Sequence, residues 1–288
     1  MVHRIGLFQY VNIGITFFFA VICFLPILLV LVVSFTDERM ITENGYQFFP
    51  EVWSIDAYRL ILSGQTLIWN SYMVSAAVMV CGTLLAVFIT ASVAYTLANR
   101  QVKYRNTWAM YFFVTMIFSA GLVPWYMIST KLGLRDNLFA LLIPGLVFNP
   151  FNMFLVRNFM AAIPDSLMES AKIDGANDAT IAFRIYFPIC TPVLATIALF
   201  YGLAYWNDWF NAIMLVDNQK LFPLQYILFK LQSEIAMLSQ LQSGVQGNPP
   251  GESLKMATAI LTIGPIVFLY PYLQRYFIKG LVIGSVKG

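Results

Sequence analysis

The chain has 288 residues, of which 59% are hydrophobic, 16% aromatic and 11% charged, with a formal net charge of +3. Soluble domains carry roughly 25% charged residues, so the composition excludes a water-soluble globular protein and defines an integral membrane chain. So small a net charge gives no electrostatic case for a nucleic-acid partner.

From Val11 to Phe35 no residue is charged. That run exceeds the roughly 7–15 residues of a signal-peptide core and reaches the ~20 needed to cross a bilayer, so it predicts a retained span. Further uncharged runs extend the pattern to six predicted transmembrane helices, near 13–35, 70–97, 107–129, 137–157, 189–213 and 256–276. Pro26, Pro124, Pro144 and Pro265 fall in or near these spans; prolines are tolerated there because neighbouring groups re-satisfy a freed backbone bond. Cys23, Cys81 and Cys190 lie within or beside apolar runs at no metal or disulfide spacing, and read as small core hydrophobes.

Lys and Arg set the orientation. With the N-terminus inside, the inner segments and adjoining helix ends hold Arg4, Arg100, Lys103, Arg105, Arg157, Lys172, Arg184, Arg275, Lys279 and Lys287. The outer segments hold Arg39, Arg59, Lys131, Arg135, Lys220, Lys230 and Lys255, spread over more residues. Both termini are therefore expected in the cytoplasm. External loops are expected at 36–68 and 215–255, the longest cytoplasmic loop at 158–188, and a single membrane domain over 1–288. The second external loop contains a short amphipathic stretch from Phe222 to Lys230 and a turn-rich run from Gly244 to Gly251.

The cytoplasmic loop carries helix punctuation. Ser166-Leu-Met-Glu169 fits a capping box, with Pro164 discouraging earlier helix. Leu167, Met168 and Ala171 fall on one face, Gly175 supplies a left-handed stop, and Asn177-Asp178 can cap a second short helix leading to Pro188. The chemistry alone leaves two readings: an amphipathic connector on the membrane surface, or a knob inserted into a groove of a soluble partner.

The spacing adds to this. Glu169-Ser-Ala, three residues, Gly175, nine residues, Ile185, one residue, Phe187-Pro188 resembles the EAA motif of permease subunits in bacterial ATP-binding-cassette (ABC) importers. That motif runs Glu-Ala-Ala, three, Gly, nine, Ile, one, Leu-Pro; Ser170 and Phe187 are mild departures. Asp174-Gly175-Ala176, Trp206-Asn-Asp-Trp-Phe210 and the closing Tyr276-to-Gly288 segment extend the likeness over essentially the whole chain. It is similar to the maltose-type second permease of carbohydrate importers, in the oligosaccharide branch that includes alginate-type and lipoprotein-associated permeases.

The resemblance implies an all-α, six-span permease of the type I importer (MetI-like) fold in a bacterial cytoplasmic membrane. It implies a second homologous permease, two ATPase subunits, an external solute-binding protein or lipoprotein, and a carbohydrate substrate, with lipid around the spans. Ser166, Met168, Glu169, Ala171, Asp174, Gly175, Ala176 and Pro188 become the ATPase-coupling residues, with Glu169 in polar contacts and Ala171 and Gly175 permitting close approach. In the C-terminal tail Gly280, Gly284 and Gly288 recur every fourth residue, which suits either close packing or a loose tail; the resemblance implies that the tail approaches the ATPase interface.

The chain has no Gly-Lys dipeptide and hence no P-loop, and its sole histidine is His3 near the N-terminus. It is expected to be non-catalytic and to bind no cofactor or metal, with ATP and Mg on the ATPase chains. For the substrate path the candidates are Asn149, Asn152, Asn207, Asp208 and Asn211, with Asn158, Asn70 and Tyr72 beside them. Asp208 lies eighteen residues from Cys190, roughly 27 Å along a helix and so near the outer surface. It reads either as a solvated interfacial carboxylate or as part of an outer gate, and the amides either line a cavity or bond between helices. Another polar solute as cargo, or an ion-coupled secondary transporter, are the alternatives; no ionisable group lies well inside a span to serve the latter.

Overall fold

The structure is a computed structural model that describes residues 7–63, 65–241, 251–263 and 267. In chain order its helices are α1 (Leu7–Ser34), α2 (Glu38–Asn44), α3 (Asp56–Ser63), α4 (Gln65–Ala98), α5 (Arg105–Ile117), α6 (Leu122–Lys131), α7 (Phe139–Leu142) and α8 (Pro150–Ala161). There follow α9 (Asp165–Ile173), α10 (Asp178–Ile181), a π-helical turn (Ala182–Tyr186), α11 (Phe187–Ile189), α12 (Thr191–Trp206), α13 (Phe210–Leu215), a 3-10 turn (Gln219–Leu221) and α14 (Leu224–Leu241). A final helix, α15, covers 252–263. The one β-type contact among the described residues is an isolated bridge between Thr36 and Trp53.

Two described helices are long and apolar enough to cross a membrane, Tyr10–Ser34 and Ile68–Ala98. Two further pairs meet that test only together and are bent, α5 with α6 by 116° and Asp178–Ile189 with α12 by 82°. The third, fourth and fifth predicted spans are not continuous helices, and local chemistry accounts for the first two breaks. Gly121 at φ +83° reverses the chain between α5 and α6, and Pro124 falls in the first turn of α6, where a missing N–H costs little. In the fourth, Pro144 and Gly145 (φ +75°) end α7, and α8 restarts at Pro150 behind the N-cap Asn149. The fifth breaks at Asn207–Trp209. The part of the sixth beyond 263, except residue 267, lies outside the described residues, as do the C-terminal tail and the turn run 244–250.

Close packing divides the chain into two units, Met1–Ile68 with Leu228–Pro265 and Trp69–Ile227 with Ile266–Gly288. In the first, the apolar core of α1 has none of its length buried within the chain, as suits a helix surrounded by hydrocarbon. Outside the span, Phe35 stacks on Tyr58 at 4.7 Å, and the Tyr58 hydroxyl meets Ser34 Oγ at 2.8 Å. The Glu38 carboxylate caps α15 from more than 200 residues away, accepting from Glu252 N and Ser253 N at 2.9 Å and from Ser253 Oγ at 2.6 Å. It supplies the orphan amides with an acceptor and the positive helix end with a negative charge.

Glu252 in turn accepts from Lys255 Nζ and Tyr46 Oη, both at 2.6 Å. Lys255 and then Tyr46 hold the Glu252 carboxyl below its usual range, and the same bond pushes the Tyr46 phenol up to about 12. A carboxyl with a depressed folded pKa contributes stability above its unfolded value of about 4.3, and loses it as pH falls through the lower folded value. Glu252→Gln should therefore speed hydrogen exchange in 252–263 at pH 7. That difference from the wild type should shrink as pH falls below about 4; an equal difference at pH 7 and pH 3 would contradict the assignment.

The second unit holds the main apolar core. Val78, Ala86, Tyr95 and Leu97 of α4 pack with Met153, Val156 and Met160 of α8 and with Val193, Ile197, Tyr201 and Tyr205 of α12. At its outer edge Asp136 (φ +54°) accepts from Asp217 N at 3.0 Å and Asn218 N at 2.6 Å, while Arg135 pairs with Asp217 at 3.0 Å. These bonds clip the two loops on either side of the broken spans together.

Candidate functional site

Two features of the second unit bring candidate residues together: the loop 162–190, and a cavity at the span breaks. The loop is stiff because its ends are closed by local bonds. Gly175 at φ +81° terminates α9 with two reverse bonds, Gly175 N to Lys172 O at 3.0 Å and Ala176 N to Ala171 O at 2.9 Å. This is the Schellman arrangement, which satisfies carbonyls the helix end would otherwise orphan. Asn177 Oδ1 then accepts from Thr180 N at 2.7 Å and starts α10. The predicted capping box does not form. Pro164, extended at ψ 132°, already occupies the N-cap, so Ser166 falls inside the first turn and α9 has no side-chain cap. Asp165 opens the helix with a negative charge and pairs with Arg100 at 3.1 Å.

The expected apolar face also divides. Met168 and Ala171 are buried against the core, so they anchor the loop and do not present a surface. Leu167, Ser166, Glu169, Asp174 and Gly175 are exposed, Ala176 is half-buried, and Ile173 is 86% exposed. Lys172 bonds Gln101 Oε1 at 2.5 Å and Asp178 at 3.5 Å, fastening α9 to the α4–α5 turn and to α10. The exit widens to a π turn before the exposed Pro188: Phe187 N reaches Ala182 O, five residues back. A proline cannot donate and crowds the carbonyl four residues earlier, which the wider turn relieves.

The cavity, of about 400 Å3, lies where the α5–α6 break, the 143–149 segment and the α12–α13 break meet. Trp125 and Phe210 line it with ring centroids 5.5 Å apart, together with Ser119, Gly145, Asp208 and Asn211. Asp208 Oδ1 caps α13 by accepting from Asn211 N at 3.2 Å, whereas its Oδ2 is buried with no donor. Non-helical backbone in a span needs partners from its neighbours, and here α12 and α13 provide them. Tyr205 Oη donates to Leu142 O at 2.8 Å, Asn211 Nδ2 to Pro144 O at 3.0 Å, and Asn149 N to Tyr201 Oη at 2.9 Å. Tyr201 Oη also meets Thr90 Oγ1 at 2.7 Å.

Of the five polar path candidates, Asp208 and Asn211 line this cavity. Asn149 and Asn152 do not share the face of one continuous helix: the first is a cap, its Oδ1 accepting from Phe151 N at 2.9 Å, and the second is buried in the following turn. Asn207 donates to Leu203 O and accepts from Gln225 Nε2, and Asn70 donates to Lys220 O. Asn158 is exposed. Sequence reasoning missed Tyr201 and Tyr205; their signal was two phenols four residues apart in an otherwise apolar span, each hydroxyl needing a partner.

A helical membrane body whose broken spans surround a partly polar cavity, with a stiff loop presented on one side, defines a solute-transport subunit. The chain is 37% identical over 291 residues to the polygalacturonan/rhamnogalacturonan transport system permease protein YtcP of Bacillus subtilis, covering 98% of this chain and 99% of that one. It is 28% identical to the arabinooligosaccharides transport system permease protein AraQ of Halalkalibacterium halodurans, covering 94% of each. A crystal structure of a bacterial ABC transporter that imports the acidic polysaccharide alginate contains a chain that superposes with a TM-score of 0.80 at 30% identity. The match covers 96% of this chain and 99% of that one. No protein-family model matches. The chain belongs to the permease subunits of carbohydrate ABC importers.

Proposed function

We propose that this permease is the non-catalytic half of a two-permease pathway that imports an oligosaccharide, driven by separate ATPase subunits docked on residues 165–188. The reading takes six crossings, the third to fifth of them broken, with both termini in the cytoplasm of a bacterial cell. ATP and Mg are held by the ATPases, and an external solute-binding protein or lipoprotein delivers the sugar. The observation that carries it is the asymmetry of α9. Met168 and Ala171 fix one face to the membrane body while Glu169, Asp174 and a large apolar side chain, Ile173, stand in solvent on a helix end closed by Gly175. A lone exposed Ile is ordinary on a protein surface; what supports docking is its place on a stiff, charged projection that carries the EAA spacing. The names of the relatives support a carbohydrate oligomer as cargo, and the EAA spacing supports the docking role of the loop.

The test is purification of the complete importer and of this chain alone. The complex should hydrolyse ATP faster when sugar-loaded binding protein is added, and the isolated chain should hydrolyse none. ATP hydrolysis by this chain alone, or sugar uptake into vesicles that lack the ATPases, would overturn the reading.

A further inference from the structure

The cavity at the span breaks has a chemistry that the relatives' names do not decide, since these cover both uronate polymers and neutral arabinooligosaccharides. Its size falls within the roughly 300–1,000 Å3 of small-molecule sites. Trp125 and Phe210 give it an apolar wall of two tilted rings, suited to the C–H face of a sugar ring. The Asp208 Oδ2 atom is a buried acceptor with no donor, a costly state that a ligand hydroxyl would relieve. Asn211 gives one of its two amide N–H groups to Pro144 O at 3.0 Å. Asp208 is the only charged residue among the described residues that line the cavity. A ligand carboxylate would meet a like charge with no cation to offset it, whereas hydroxyls meet an acceptor.

We propose that this cavity is a subsite for one uncharged pyranose or furanose ring of the transported oligosaccharide. Asp208 accepts from a ring hydroxyl and Trp125 with Phe210 cover the apolar face, so that this subunit touches the cargo directly and selects against a uronate at that position. The rim supports access, since Ser119 and Leu122 are exposed beside Gly121. The inference rests on the import reading above and adds to it a place and a chemical class.

The experiment uses the complete importer in nanodiscs, with Cys23, Cys81 and Cys190 replaced by alanine and with Ser119→Cys at the rim. The probes are raffinose, arabinotriose and trigalacturonate. ATP-driven uptake of each into proteoliposomes is measured first, then the rate at which a thiol-specific reagent labels position 119 with each sugar present. We expect the best-imported neutral sugar to slow labelling at least fivefold and trigalacturonate to leave it unchanged. Asp208→Asn should lower the neutral-to-uronate uptake ratio at least fivefold, and Trp125→Ala should abolish protection. If Asp208→Asn fails to assemble, Trp125→Ala and the labelling data still decide. Import of a neutral sugar with no protection at position 119, import of trigalacturonate alone, or protection by sodium ions in place of sugar would each overturn the subsite. Absence of ATP-driven uptake of all three by the unsubstituted importer would overturn the oligosaccharide reading, and the subsite with it.

Discussion

Gly175→Val is expected to cut ATP-driven sugar uptake at least tenfold while the chain remains in the membrane. At φ +81° glycine holds a conformation that costs other residues roughly 1–2 kcal/mol, and more for a β-branched one. A Cβ there would meet nothing within 4 Å, so the penalty is torsional and falls on the helix end. Relieving it unwinds the two reverse bonds to Lys172 O and Ala171 O, which set the angle between α9 and α10. The buried anchors Met168 and Ala171 would stay in place, so the loss should appear as weaker ATPase association and slower uptake, with little change in the amount of folded permease. Gly175→Asn is the control, because asparagine tolerates the left-handed region and can replace glycine at a helix end; it should retain most activity. Glu169→Lys reverses an exposed charge without touching the backbone and should weaken ATPase association alone. Wild-type uptake in Gly175→Val together with normal ATPase retention in Glu169→Lys would remove the loop from the coupling path.

How far these features could be read beforehand depended on the range of the interactions that make them. The stop at Gly175 and the cap at Asn177 were legible because both are settled by bonds within five residues. The capping box at Ser166 failed for an equally local reason, since Pro164 holds the extended backbone that a cap requires. Apolarity marked 107–129, 137–157 and 189–213 as spans but gave no sign of their breaks. Pro144-Gly145 and Asn149-Pro150 were visible, yet a membrane helix keeps such residues whenever neighbours satisfy its backbone. Here the break in the fourth run is the state that is satisfied, by Tyr201, Tyr205 and Asn211, which lie 52 to 67 residues further along the chain. The same distance explains Asp208: its depth could be counted from Cys190, but the missing donor on Oδ2 appears only once α6 and the 143–149 segment are packed beside it.

Gly82→Ala is expected to have the largest effect on stability of any glycine-to-alanine change among the described residues of the second unit. A Cβ at Gly82 on α4 would stand 2.5 Å from Cζ and 2.7 Å from both Cε atoms of the Tyr205 ring. That ring cannot swing away cheaply, because it is 2% exposed and its hydroxyl holds Leu142 O at 2.8 Å. Overpacking a filled core costs about 1–3 kcal/mol, and displacing the phenol far enough to orphan the carbonyl adds roughly 1–3 kcal/mol more. Because that carbonyl lies where the fourth run breaks, the damage should reach the cavity walls as well as the α4–α12 contact. Tyr205→Phe isolates the hydrogen bond and should cost only the second amount. In a Tyr205→Leu background the collision disappears, so Gly82→Ala should become nearly neutral, giving a coupling equal to its whole cost, roughly 2–6 kcal/mol, in thermal unfolding of the purified protein. If instead the two substitutions add independently, Gly82 is not the gap that lets the Tyr205 ring lie between α4 and the broken span.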